Sequence, residues 1–203
     1  MNNKINQAAR LIREGRVIIY PTETFFALGG LGTDTGVLKT IRTIKGRPGH
    51  KPLPLVAGSV SQCTEVVDID DLSGKLAEEF WPGPLSILVR AGNRIPYGVK
   101  DPDQMVSIRV TPHQDAANLC LKAGVPLIAT SANFSGKPSC AKFQELDRRL
   151  RAKVDFVLDS HEAPAGDLPS TLVRVCGSKE LMIIRPGKIS ASQIMDKGWR
   201  IRS

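Results

Sequence analysis

Apolar residues recur along this chain at two spacings, and each spacing predicts a different element. Ala8, Ala9, Leu11 and Ile12 fall at helical intervals over residues 6–14, predicting a short amphipathic helix that stops at Gly15. Val37, Leu38, Ile41 and Ile44 repeat the pattern behind a Thr33-Asp34-Thr35 cap, predicting a helix that carries Lys45 and Arg47 at its far end. Further helices are expected over residues 73–80, 115–123, 142–150 and 190–197. Short β-branched or apolar runs predict strands at 17–20, 53–57, 85–90, 105–110, 126–129, 154–158, 171–175 and 181–184. Strands alternating with helices imply an α/β fold, one twisted open mixed sheet flanked by helices, over residues 1–203 as a single domain. Residues 163–169, Ala-Pro-Ala-Gly-Asp-Leu-Pro, form the best candidate for a mobile loop.

Composition narrows the class without changing that picture. At 203 residues, 41% hydrophobic and 24% charged, the chain suits one sizeable core. No apolar stretch approaches a membrane span, and Met1-Asn2-Asn3-Lys4 opens no signal-like apolar region, so a cytoplasmic protein without a membrane partner is expected. Cys63, Cys120, Cys140 and Cys176 are widely scattered and read as free, mostly buried thiols. His50, His113 and His161 share no metal-ligand spacing, which argues against zinc.

The net charge of +8 is unevenly spread. Residues 1–64 carry nine Lys/Arg against three acids, residues 65–79 reverse the sign, and from 136 onward thirteen Lys/Arg face eight acids. Such a balance favours polyanions such as RNA or nucleotides, if the charges share a face; otherwise it serves solubility.

Candidate chemistry gathers where elements end. Lys45-Gly46-Arg47-Pro48 places a compact cation and a planar fork two residues apart, fit for phosphate or for simple helix capping. Thr130-Ser131-Ala132-Asn133-Phe134-Ser135-Gly136 supplies hydroxyls, an amide and backbone N–H groups after a buried run, a cradle for phosphate or a plain turn. Thr22 and Thr24 flank Glu23 after Tyr20-Pro21 and offer hydroxyls to a small polar ligand. Arg109 sits in the apolar run Val106 to Val110 and needs an anion, either an internal carboxylate or a bound one. Trp81-Pro82-Gly83-Pro84 reads as architecture. A P-loop and a dinucleotide fingerprint are both absent, since Gly136-Lys137 leads to Pro138 and Gly30-Leu31-Gly32 lacks its third glycine.

In this order the segments resemble the YrdC/TsaC family of threonylcarbamoyl-AMP synthases, short bacterial branch. The resemblance rests on Tyr20-Pro21-Thr22-Glu23-Thr24, Leu28-Gly29, Lys45-Gly46-Arg47-Pro48, Trp81-Pro82-Gly83-Pro84-Leu85, Ser107-Ile108-Arg109-Val110, Thr130 to Gly136, Ser170-Thr171-Leu172-Val173 and Arg185-Pro186-Gly187. It implies that L-threonine, bicarbonate and ATP give threonylcarbamoyl-AMP and pyrophosphate, with Mg²⁺ accompanying ATP. The product would serve threonylcarbamoyladenosine modification of tRNA, through a link to the threonylcarbamoyl transferase complex and with possible tRNA or other RNA contact on a basic face. By position, Lys45, Arg47, Ser131 and Asn133 would form the catalytic, phosphate-binding tetrad. Ser139, Ser170 and Arg185 would complete the ATP site; Thr22, Thr24 and Arg109 would hold threonine; no protein metal site is implied. Phe26 and Ala27 depart from the family's usual Tyr and Gly, which leaves a paralogue acting on a related adenylate as the alternative, beside an RNA-binding module without synthesis.

Overall fold

The computed structural model describes residues 2–46 and 51–202. Helix α1 (Asn2–Arg13) turns its Ile5, Ala8, Ala9 and Ile12 inward, and these pack on Ala116, Leu119 and Cys120 of α5 (Gln114–Ala123). Helix α2 (Thr35–Lys45) begins where the Asp34 carboxylate accepts the Gly36 and Val37 N–H groups at 2.6 and 3.1 Å. It ends at Gly46, whose φ of +58° lets its N–H return to the Arg42 and Thr43 carbonyls. Helices α3 (Val60–Thr64), α4 (Asp71–Phe80), α6 (Arg148–Arg151) and α7 (Ala191–Met195) complete the set.

The strands are β1 (Ile18–Tyr20), β2 (Ala27–Gly29), β3 (Leu55–Ala57), β4 (Val67–Asp68), β5 (Leu85–Ala91), β6 (Met105–Val110), β7 (Leu127–Ile128), β8 (Thr130–Ser131), β9 (Phe156–Val157), β10 (Thr171–Gly177), β11 (Glu180–Arg185) and β12 (Arg200–Ile201). The mixed α/β fold is as expected, but the strands divide into two sheets. One runs β8-β2-β1-β9; the larger runs β12-β11-β10-β5-β6-β3-β7, with β4 paired to β5. Parallel pairs (β5 with β10, β3 with β6) sit beside antiparallel ones (β5 with β6, β10 with β11).

The break between sheets falls between β7 and β8. Ile128 pairs into the large sheet and Thr130 into the small one, so a single extended run serves both. Gly29 allows this closeness: a Cβ there would lie 1.7 Å from the Ile128 carbonyl oxygen. Tyr20 ties the same point, its hydroxyl donating to the Ile128 carbonyl at 2.8 Å. Burial pushes the Tyr20 pKa well above its ordinary value, so the donor stays protonated.

One predicted helix is split, while α1 begins four residues earlier than expected and α3 was not expected. Residues 142–150 form a 3-10 turn, Phe143–Glu145, and then α6, because Leu146 is extended and the Asp147 carboxylate caps a new start by accepting the Arg149 N–H at 2.8 Å. The four cysteines are free, with Cys63 and Cys120 buried and Cys176 exposed; burial pushes the Cys63 thiol up to about 12. Among the described residues, no helix is long and apolar enough to cross a membrane.

Candidate active site

A cavity of about 430 Å³ opens where the two sheets meet. Its wall includes Thr22, Thr24, Arg109, Ser131, Ser139, Ser170 and Arg185, seven residues that the sequence scatters over more than 160 positions. Lys45 and Asn133 reach the cavity through Ser131. Arg47 lies outside the described residues.

Arg109 has the internal carboxylate that its apolar surroundings demand. Its Nε donates to Glu23 Oε1 at 2.7 Å, and Thr111 donates its hydroxyl to Glu23 Oε2 at the same distance. Both side chains of the ion pair are nearly sealed, at 5% and 10% exposure. Burial alone would raise the Glu23 pKa, but the Arg109 charge and the two side-chain hydrogen bonds outweigh it and hold the carboxyl below its ordinary value. Only Nε of Arg109 is used in this way. Its two terminal nitrogens have no hydrogen-bond partner among the described residues, and Arg109 lines the cavity.

Thr22 and Thr24 form a tight turn as well as a wall. The Thr22 hydroxyl donates to the Phe25 carbonyl at 2.7 Å and receives the Thr24 and Phe25 N–H groups at 3.3 Å; the two threonine hydroxyls lie 3.2 Å apart. Residues 163–169 run against this turn. Ala165 and Gly166 donate their N–H groups to the Glu23 and Thr24 carbonyls at 3.2 and 2.8 Å, and Lys188 contacts Asp167.

The opposite wall is organised by Lys45, buried at 4% exposure. Its ammonium donates to the Ser131 carbonyl at 2.5 Å, the Asn133 carbonyl at 2.7 Å and Asn133 Oδ1 at 2.9 Å. Ser131 donates its hydroxyl to the same Oδ1 at 2.7 Å, and Asn133 Nδ2 donates to the Lys137 carbonyl. The cation thus gathers oxygen dipoles and fixes the turn after β8.

A third wall comes from β10 and β11. Arg185 Nη2 donates to the Ser170 carbonyl at 2.8 Å and to Ser170 Oγ at 3.1 Å, and Ser86 Oγ lies 3.0 Å from Ser170 Oγ. Desolvation, with the nearby positive charge of Arg109, holds the Arg185 pKa below its ordinary value. Gly187 keeps this corner tight, since a Cβ there would lie 2.3 Å from the Pro169 carbonyl oxygen.

Several wall residues have no polar signature in the sequence. Leu88, Met105, Leu172 and Ile184, from four neighbouring strands, line an apolar side of the cavity. Met105, Ser107 and Arg109 share one face of β6 by simple alternation, which the sequence does carry. Phe26 and Ala27 also lie at the cavity. Phe26 is buried and meets the Phe143 ring edge-on at 6.3 Å, while Ala27 pairs with Tyr20 and Ser131 in ordinary strand geometry that needs no glycine.

Residues 10–187 match the Sua5/YciO/YrdC family model, described as telomere recombination. A threonylcarbamoyl-AMP synthase of Cellvibrio japonicus is 34% identical over 158 residues, covering 77% of this chain and 84% of the relative. One from Bacillus subtilis is 32% identical over 203 residues, covering 94% of this chain but 55% of the relative, so the chain spans little more than half of that longer protein. The crystal structure of Pyrococcus abyssi Sua5 complexed with L-threonine aligns with a TM-score of 0.88 at 30% identity, over 98% of this chain and 58% of that one. Escherichia coli YciO aligns with a TM-score of 0.81 at 24% identity, over 92% and 90%, and shares the fold.

Proposed function

The chain belongs to the Sua5/YciO/YrdC family, and we propose that it joins L-threonine, bicarbonate and ATP into threonylcarbamoyl-AMP and pyrophosphate. The observation that carries this reading is one cavity with two unlike polar walls: a fork with two unpartnered nitrogens at Arg109, and the Lys45-held turn at Ser131. A carboxylate and a polyphosphate can be held there together.

In this reading the threonine carboxylate lies on the terminal nitrogens of Arg109, beside Thr22 and Thr24. The threonine amine takes up bicarbonate with loss of water to give a carbamate. A carbamate oxygen then attacks the α-phosphorus of ATP, one P–O bond forming as the bond to pyrophosphate breaks, which makes the protein a nucleotidyltransferase. Holding two anions in register is the main task, and it can supply several kcal/mol of barrier reduction. Lys45, Arg47 and the turn of Ser131 and Asn133 would steady charge on the phosphate oxygens, and Ser139, Ser170 and Arg185 the rest of the nucleotide.

No group of three or more His, Cys, Asp or Glu side chains suited to a metal lies among the described residues. A Mg²⁺ would therefore arrive with the triphosphate as MgATP, held by phosphate oxygens and water with the cavity hydroxyls beside it, and would neutralise phosphate charge.

The product would pass to the threonylcarbamoyl transferase complex that modifies tRNA. Direct RNA contact has a specific candidate surface as well. Arg149 and Lys153 lie over the Phe134 ring at 5.5 and 5.9 Å, and Arg151 lies over Phe143 at 4.7 Å, so the rings seat a basic strip suited to phosphates.

The test is pyrophosphate release from ATP with threonine and bicarbonate, each omitted in turn, with the product identified by mass spectrometry. Release that requires all three is expected. Release without threonine, or none with all three present, would overturn the reading.

A further inference from the structure

The apolar side of the cavity carries a single carboxylate, Asp101, the one acidic residue lining the cavity among the described residues. It stands in a tight turn between β5 and β6. Its N–H donates to the Met105 carbonyl at 2.8 Å, its own carbonyl accepts the Gln104 N–H at 3.1 Å, and Oδ1 accepts the Met105 N–H at 2.8 Å. Gln104 closes that turn at φ +63°, a left-handed conformation that a non-glycine residue rarely adopts and that tends to be retained where a turn has work to do. These bonds fix Oδ1 and leave Oδ2 with no hydrogen-bond partner among the described residues.

The position of Asp101 selects what it can meet. Arg109 and Met105 share a face of β6 two strand repeats apart, roughly 13 Å at ordinary strand rise. A ligand with its acid groups near Arg109 and the Ser131 turn therefore extends its uncharged end over Met105, Leu88, Leu172 and Ile184. Those side chains suit a flat ring, and a carboxylate beside them accepts a hydrogen bond while repelling phosphate. The sugar of a nucleotide lies between phosphate and base, so the base is the part that reaches this end.

We infer that Asp101 is the base-reading residue of the nucleotide site, its Oδ2 accepting a hydrogen bond from the 6-amino group of adenine. This rests on the nucleotide-binding reading of the cavity. A purine with a 6-oxo group presents an acceptor to the carboxylate and is rejected, because two acceptors then face each other without a proton.

Calorimetric binding of AMP and IMP, which needs no turnover, tests the inference. The unmodified protein is expected to hold AMP about tenfold or more tightly than IMP, the effect of one charge-assisted hydrogen bond. Asp101→Ala should bring the two within about twofold. Asp101→Asn keeps an oxygen for the Met105 N–H and offers an amide donor to the 6-oxo group, so it should reverse the order in favour of IMP; this variant also preserves the turn if alanine loosens it. Equal binding of AMP and IMP by the unmodified protein, or an unchanged ratio in Asp101→Asn, would overturn the inference. So would a loss of preference for AMP over 2′-deoxy-AMP in Asp101→Ala with the AMP-to-IMP ratio intact, which would give the carboxylate to the ribose. Absence of threonine-dependent pyrophosphate release alongside a clear AMP preference would instead count against synthesis alone.

Discussion

Arg109 and Lys45 are each held by a partner 86 positions away in sequence, yet the groups that hold them differ in kind. Arg109 meets the Glu23 carboxylate, so that pair is neutral before any ligand arrives. The Lys45 ammonium meets two carbonyls and an amide oxygen, neutral dipoles that orient around it. The first wall can therefore choose its ligand by the geometry of a planar fork, and the second by attraction for negative charge. The proposed joining of one amino acid and one polyphosphate would use that difference, with a carboxylate at the fork and phosphates at the turn.

The sharpest way to break the contrast is to remove the carboxylate. Glu23→Ala leaves Arg109 buried without a counter-charge and is expected to cost about 3–5 kcal/mol of folding stability, read by chemical denaturation. Threonine-dependent turnover should fall with it. Glu23→Gln also removes the charge but keeps an oxygen for Arg109 Nε, so it should lose less; equal losses for the two variants would mean that the charge carries the whole effect and the retained hydrogen bond none.

Next in size is the opposite wall. Lys45→Met removes the positive charge and frees the 131–133 turn, and pyrophosphate release should drop by about 10²–10³, as for loss of a preorganised transition-state donor. Its KM for threonine should change far less than its kcat. A threonine KM that rises as much as kcat falls would show that the two walls are not separate.

Thr24→Val tests the threonine wall more gently, removing one hydroxyl near Thr22 at about 1 kcal/mol, or about fivefold, in the KM for threonine. Steady-state kinetics at saturating ATP would show it, and an equal change in the KM for ATP would count against the assignment.

The smallest effect is a pH dependence. Glu23 has a folded-state pKa below that of the unfolded chain, so its contribution is fully present above the ordinary carboxylate range and is lost as pH falls through the lower folded value. Denaturation midpoints followed from neutral into acid should fall less steeply in Glu23→Gln than in the unmodified protein. The same slope in both would remove Glu23 from the acid response.

How much of this was legible in the chain follows the range of the interactions. Helical spacing and the Asp34 cap gave α2 nearly to the residue, and alternation gave β6 and the shared face of Met105, Ser107 and Arg109. The need of Arg109 for an anion was also legible, because an apolar strand cannot leave a guanidinium unpaired. That the anion is Glu23 was not, since it arrives from the turn after β1. The split of residues 142–150 was missed because a capping aspartate in mid-pattern interrupts a helix without disturbing its apolar spacing.

By itself, then, the sequence determined the local elements, the α/β class and the kinds of polar group available, all of which depend on neighbours within a few residues. Tertiary structure alone decided that the strands form two sheets, that Lys45 turns to carbonyls while Arg109 turns to a carboxylate, and that Asp101 faces an apolar wall. Those outcomes rest on contacts between segments far apart in the chain, and pairing over such distances is fixed by packing and desolvation, which no local pattern encodes.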